Sequence, residues 1–271
     1  MYRNRHIEKC ALDFYKTLPK HIAQFVFNIR EAISTLKNCA VFSYQEFAGF
    51  SNAGVNDIIA YCESYDACTR KGIDEDKYII LYNDSPDISK GKKAFTLAHE
   101  LGHILLGHMN ILESFGIYHS SHENEHMKKQ ADYFAACLLC PLPVLYRIKP
   151  KSILSVEMIF GLSGKAAEVA FDNYTHYDRT YNIAWHNDIL NLFDFEIDLL
   201  KDYTYQLDYI YERRIVKPVK VITRGADDFS DDISIDKCRP RNSRINDYGK
   251  REKAEVTISP NLYERIVLDW I

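Results

Sequence analysis

No stretch of this chain approaches the roughly 18 consecutive apolar residues that a membrane-crossing helix needs. The opening residues, Met1 to Leu12, carry early basic side chains but no apolar core of signal-peptide length, so the cytoplasm is the expected compartment. Strong charge of one sign is missing too. Lys and Arg total 34 against 38 Asp and Glu, and a net charge of -4 makes no global case for nucleic acid or an anionic membrane surface. The seven cysteines form an odd set without a paired spacing scheme, which argues against a disulfide framework and fits reduced thiols. Internal repeats and low-complexity tracts are absent. What is left is ordinary globular composition, 46% hydrophobic and 27% charged, in 271 residues, enough for one large domain or two modest ones.

Against that background the apolar run Phe95 to His108 stands out, because it holds His99-Glu100-Leu101-Gly102-His103. If the run is helical, His99 and His103 lie one turn apart on the same face and can reach a single metal ion. Two neutral imidazoles suit zinc, and a catalytic zinc site needs one more protein ligand and a position left open for water. Glu100 then sits where it can take a proton from that water and pass it to the leaving amine of a peptide bond. The pattern therefore points to metallopeptidase chemistry. Ala98, Leu101, Leu105 and Leu106 make the helix apolar enough to be buried, where an ionisable trio is costly unless a metal or partners compensate. Gly102 leaves room for a neighbouring backbone. His108, about 140° further round the helix than His103, reads as a surface or supporting residue.

Taken in order, residues 6 to 37 predict two helices broken near Leu18-Pro19, the second burying Ile22, Val26, Ile29, Ile33 and Leu36. Val41 to Phe47 and Asp76 to Asp84 read as strands, the latter with an edge that could hold an extended peptide beside the zinc helix. Ser85 to Lys93 reads as a solvated loop. A second helix is predicted with Ala131, Phe134, Ala135, Leu138 and Leu139 on one face, ended by Pro141 and Pro143, and Cys137 and Cys140 within it are expected to pack rather than bind metal. Ser155 to Phe171 reads as helix, tight turn, helix, with Ser163 capping the second; Lys165 against Glu168 and Asp172 makes that helix a poor phosphate surface. Further on, Tyr203, Tyr205, Leu207, Tyr209 and Tyr211 alternate like a half-buried strand, with Val216 to Thr223 and Glu255 to Ser259 as further strands. The seven basic residues between Lys237 and Lys253 read as a solvated loop.

Phe95 to His103, together with Gln130-Ala131-Asp132-Tyr133-Phe134-Ala135-Ala136-Cys137-Leu138-Leu139-Cys140-Pro141, resembles the ImmA/IrrE family of zinc metallopeptidases. The resemblance covers about residues 40 to 175. It implies an α+β, zincin-like metallopeptidase domain of helices plus a small sheet over residues 1–175, with a helix-turn-helix-like end. Residues 176–271 would be a C-terminal β-containing extension. The family further implies an enzyme that cleaves or inactivates a helix-turn-helix repressor, relieving repression of a mobile element, phage or stress genes. Direct contact with nucleic acid is not expected.

The resemblance also places a third zinc ligand, a glutamate, where this chain has Lys128. Helical geometry offers Glu125 instead, with His126 behind it; Glu123, His119 and His122 depend on the path of a loop, and a solvated charged segment is the alternative for the whole 119–126 cluster. Asp132 matches the family position that orients a ligand histidine. Tyr118 or Tyr133 could supply a donor to the developing oxyanion. Two readings follow: a zinc endopeptidase in which His99, His103 and Glu125 hold the ion and Glu100 moves the proton, or, because of Lys128, a peptidase-fold binding module that senses or sequesters a partner without cleaving it.

Overall fold

A computed structural model describes residues 3–19, 28–72 and 77–215. The chain runs through α1 (Arg5–Thr17), α2 (Ile29–Ser34), β1 (Cys39–Ser43), α3 (Tyr44–Ser51), α4 (Val55–Cys62), β2 (Ala67–Lys71), β3 (Tyr78–Tyr82) and α5 (Lys90–Leu105). It continues with α6 (His108–Ser114), a 3-10 turn at Ser120–His122, α7 (Glu125–Leu139), α8 (Leu142–Ile148), α9 (Ile153–Phe160), α10 (Gly164–Thr175), α11 (Ile183–Leu192) and α12 (Asp194–Ile215). The architecture is α+β, mostly helical around one small mixed sheet.

Strand order is β1-β3-β2, with β3 parallel to β1 and antiparallel to β2. Alternation along β3 sends Tyr78, Ile80 and Tyr82 into the main core and Leu81 into a smaller one with Tyr44, Ala48, Ile58, Cys62 and Cys68. Because β3 is central, both of its edges are paired, which corrects the expectation that it offers an edge to a peptide. The strand beside the histidine helix that has an outer edge is β2, and residues 69–71 of it are already engaged: Lys71 N–H donates to the Tyr118 carbonyl at 3.1 Å and Thr69 N–H to Ser120 Oγ at 2.8 Å.

β1 also stops earlier than Phe47. Ser43 and Glu46 form a reciprocal capping box, Ser43 Oγ accepting from the Glu46 amide and Glu46 from the Ser43 amide, so the chain turns helical at Tyr44. In the same way Ser89 caps α5, which begins inside the stretch expected to be a loop.

Two glycines set how α5 is gripped. A Cβ on Gly91 would come within 2.5 Å of the Leu162 and Ser163 backbone, so the start of α5 lies directly against the turn between α9 and α10. A Cβ on Gly102 would meet Ala131 Cα and Phe134 Cδ1, each at 3.2 Å, as expected of a site of close backbone approach. There α5 and α7 cross. The α9–α10 turn itself follows the sequence expectation, with Gly161 in the left-handed region and the Ser163 side chain accepting from the Ala166 amide.

The predicted strand at Tyr203 to Tyr211 is part of helix α12. Ile197, Leu200, Tyr203, Thr204, Leu207 and Asp208 are buried at helical spacing, whereas Tyr205 is 71% exposed. Asp208 explains the choice: its carboxylate accepts from the Lys151 amide at 3.0 Å and from Ser152 Oγ and Ser155 Oγ, pinning α12 to the first turn of α9. Trp185, Ile189, Phe193, Ile197, Leu200, Tyr203 and Leu207 belong to the same core cluster as α5 and α7. The expected strands at 216–223 and 255–259, the basic loop at 237–253, and Ile22 and Val26 lie outside the described residues.

Six cysteines among the described residues are free, and Cys137 and Cys140 are buried, their thiol pKa values pushed up by that burial. No single described helix is long and apolar enough to cross a membrane. The α7–α8 pair has the length only across a 40° bend, and its Phe134, Leu138, Val144 and Leu145 are core residues.

Candidate metal centre

His99 and His103 project from one face of α5, and a third group meets them from the segment before α7. His103 Nε2 lies 3.1 Å from His99 Nε2, His103 Nε2 is 3.1 Å from Glu123 Oε2, and His99 Nε2 is 3.5 Å from the same oxygen. These three atoms form a triangle close to one face of a tetrahedron around zinc, whose edges are about 3.3 Å for bonds of roughly 2.0–2.1 Å. His103 is fully buried, and Glu123 Oε2 is buried without any partner of hydrogen-bond geometry. Three electron-pair donors converging in a nearly dry site call for a cation. Without a metal, a proton has to serve. Burial opposes charge on His99, but the hydrogen bond to Asp132 and the nearby Glu123 and Glu100 carboxylates outweigh it and raise its pKa to about 10. Burial likewise works against ionised Glu123, yet contact with His103 and His99 holds its pKa down at about 2.

Each imidazole is backed by a polar partner on its other nitrogen. His99 Nδ1 is 2.8 Å from Asp132 Oδ1, so a proton on Nδ1 leaves the Nε2 lone pair facing the centre. The Gly102–Ala131 crossing makes this contact possible by bringing Asp132 within reach of α5. Behind His103 stands His108, 2% exposed, its Nδ1 3.1 Å from His103 Nδ1 and its Nε2 2.9 Å from Gln130 Oε1. The amide oxygen of Gln130 only accepts, so His108 carries its proton on Nε2 and offers an Nδ1 lone pair. His103 then donates from Nδ1, and its Nε2 lone pair is free for a metal. Burial and the neighbouring His103 push the His108 pKa down to about 4, which keeps it neutral and able to accept.

Glu100 is buried on the side of α5 that meets β2. Its Oε2 accepts from Thr69 Oγ1 at 2.8 Å and from Ser120 Oγ at 2.7 Å, while Ser120 Oγ accepts the Thr69 amide. The two hydroxyls solvate a carboxylate that burial would otherwise penalise.

Glu125, the expected third ligand, is exposed in the first turn of α7 and outside the cluster; His126 is exposed as well. Asn124 is the reason. Its side chain accepts the His126 and Met127 amides and starts the helix one residue past itself, so Glu123 stays in extended backbone and reaches back to the histidines. Lys128 is also exposed and does not occupy the place of a metal. Tyr133 is removed from the list of oxyanion donors, because its hydroxyl donates to buried Glu8 at 2.6 Å; Tyr118 is exposed. Thr69 and Ser120 carried no motif that spacing could find, and Glu123 belonged to a loop whose path spacing could not draw.

Residues 63–169, from the end of α4 into α10, match the family model of the peptidase M78 family, the IrrE N-terminal-like domain. That stretch is an ImmA/IrrE-family peptidase domain. The match takes in every residue of the IrrE-like centre described above, from Thr69 to Asp132. No match is found among curated proteins or among solved structures.

Proposed function

We propose that this IrrE-like chain is a zinc-dependent endopeptidase whose substrate is a helix-turn-helix repressor, so that its action relieves repression. The convergence of His99, His103 and Glu123 at 3.1–3.5 Å, with Glu100 held on the same helix, carries the reading. A zinc ion in such a site supplies a Lewis acid for the scissile carbonyl and lowers the pKa of water at its open position. The chain's residues supply the rest. Asp132 and His108 fix the imidazole tautomers, and Glu100 takes the proton of the attacking water and gives it to the leaving nitrogen. One peptide bond and one water become a carboxylate and an amine. The repressor as substrate rests on the family resemblance.

The binding-module reading drew on Lys128, as a lost third ligand or as an ammonium in the metal's place; Glu123 beside the two histidines weighs against the first and the exposure of Lys128 against the second. The deciding experiment compares cells expressing the chain with cells expressing Glu100→Gln, mapping every new protein N-terminus. New termini that appear in a repressor only with the unaltered chain support the reading. Identical sets of termini overturn it.

A further inference from the structure

The segment that delivers Glu123 also brings two histidines beside Glu63 at the end of α4, a second group with the donor atoms a metal needs. His122 Nε2 lies 3.0 Å from Glu63 Oε2, the His119 and His122 rings are 4.6 Å apart, and one ligand atom from each of the three residues lies within 4.8 Å of the others. We propose that Glu63, His119 and His122 form a second zinc-class cation site, which staples the 119–123 segment to the end of α4.

The donor set is two imidazoles and one carboxylate, the same as at the first centre, and it selects a borderline metal such as zinc over calcium or magnesium. An independent observation points to a missing ligand. His119 Nδ1 is buried and has no hydrogen-bond partner, whereas the neighbouring hydroxyls are satisfied: Ser120 by Glu100 and Thr69, Ser121 by the Cys62 carbonyl. Arg70, which forms a β-bridge with His119, is a cation beside this group. Its guanidinium is turned onto the Tyr61 ring, 3.7 Å from the centroid, and donates to the Tyr61 carbonyl.

Glu63 is presented by an unusual backbone. It ends α4 in the left-handed region (φ 49°), a conformation that non-glycine residues adopt only at a cost, and its carboxylate meets His122 of the 3-10 turn. His122 and Glu63 are about half exposed, so water can complete the coordination sphere. The same five residues carry Ser120 to Glu100 and Glu123 to His99 and His103. An ion at the outer site therefore holds both contacts in register.

The test is a zinc titration of the untagged full chain against a chromophoric chelator of about micromolar affinity. Three variants accompany it: Glu63→Gln with His122→Ala, His122→Cys, and His99→Ala with His103→Ala. The proposal expects two ions per chain in the unaltered protein, one in the Glu63/His122 variant and two again with His122→Cys, since a thiolate replaces the lost imidazole. The His99/His103 variant should keep the outer ion. A single ion that survives in the Glu63/His122 variant and disappears in the His99/His103 variant overturns the outer site and leaves the peptidase reading standing. A single ion with the opposite dependence does the reverse, and no bound zinc at all overturns both.

Discussion

His108 Nδ1 sits 3.1 Å from His103 Nδ1 in the interior of the protein, and that contact dictates which nitrogen of His103 can face a metal. Replacing His108 by phenylalanine keeps a ring in the space and removes the acceptor. Zinc affinity is then expected to fall by roughly 10- to 100-fold, the usual cost of losing a partner behind a ligand histidine. Asp132→Ala should lower it by a similar factor through His99, and His108→Gln should recover part of the loss. Competition with a fluorescent chelator measures each value; unchanged affinity in both His108→Phe and Asp132→Ala would remove these residues from the site.

Glu123 and Glu125 separate cleanly by mutation. Glu123→Ala takes away a buried oxygen of the triangle and should abolish stoichiometric zinc at His99 and His103, whereas Glu125→Ala removes an exposed side chain and should leave metal content unchanged. Elemental analysis of the two purified variants in the Glu63/His122 background, where only the inner centre is counted, reads the difference directly. Loss of zinc with Glu125→Ala would reverse the assignment.

Stability of the metal-stripped chain should depend on pH in a definite sense. His99 has a folded pKa raised from 6.5 to about 10, so its contribution is complete below pH 6.5 and is lost as pH rises through 10. Glu123 has a folded pKa lowered from 4.5 to about 2, so its contribution is complete above pH 4.5 and is lost as pH falls through 2. Both are fully present between about pH 4.5 and 6.5. Urea unfolding in the presence of a chelator should show stability declining from pH 6.5 toward 10, with His99 supplying a slope of up to about 1.4 kcal/mol per pH unit. His99→Gln should flatten that decline.

The two α5 glycines should respond differently to alanine. Gly91→Ala drives a Cβ to 2.5 Å from backbone atoms of Leu162 and Ser163, which no rotamer change can relieve, and a loss of about 2 kcal/mol or more is expected. Gly102→Ala meets Ala131 and Phe134 at 3.2 Å, so the neighbours yield by tenths of an ångström, and helix propensity returns up to about 1 kcal/mol. Denaturant unfolding should therefore place Gly91→Ala well below Gly102→Ala.

The sequence determined the parts of this protein whose physics is local. His99, Glu100 and His103 needed only the period of a helix to fall together, Gly102 announced the close crossing, and Ser163 its cap. The apolar face from Ala131 to Leu139 named the helix that packs against them. Chain-distant geometry decided the rest. Glu123 and Glu125 differ by two positions in the same polar segment, and what chooses between them is where Asn124 starts α7 and how the preceding turn is tied to β2 through Ser120 and Thr69. Tyr203 to Tyr211 satisfies a strand period and a helix period at once; burial against α8 and α9, with Asp208 capping α9 across more than 50 residues, selects the helix. Periodicity reports which face of an element is apolar, but a ligand set assembled from a helix and a loop depends on contacts that have no signature in spacing, and only the folded chain contains them.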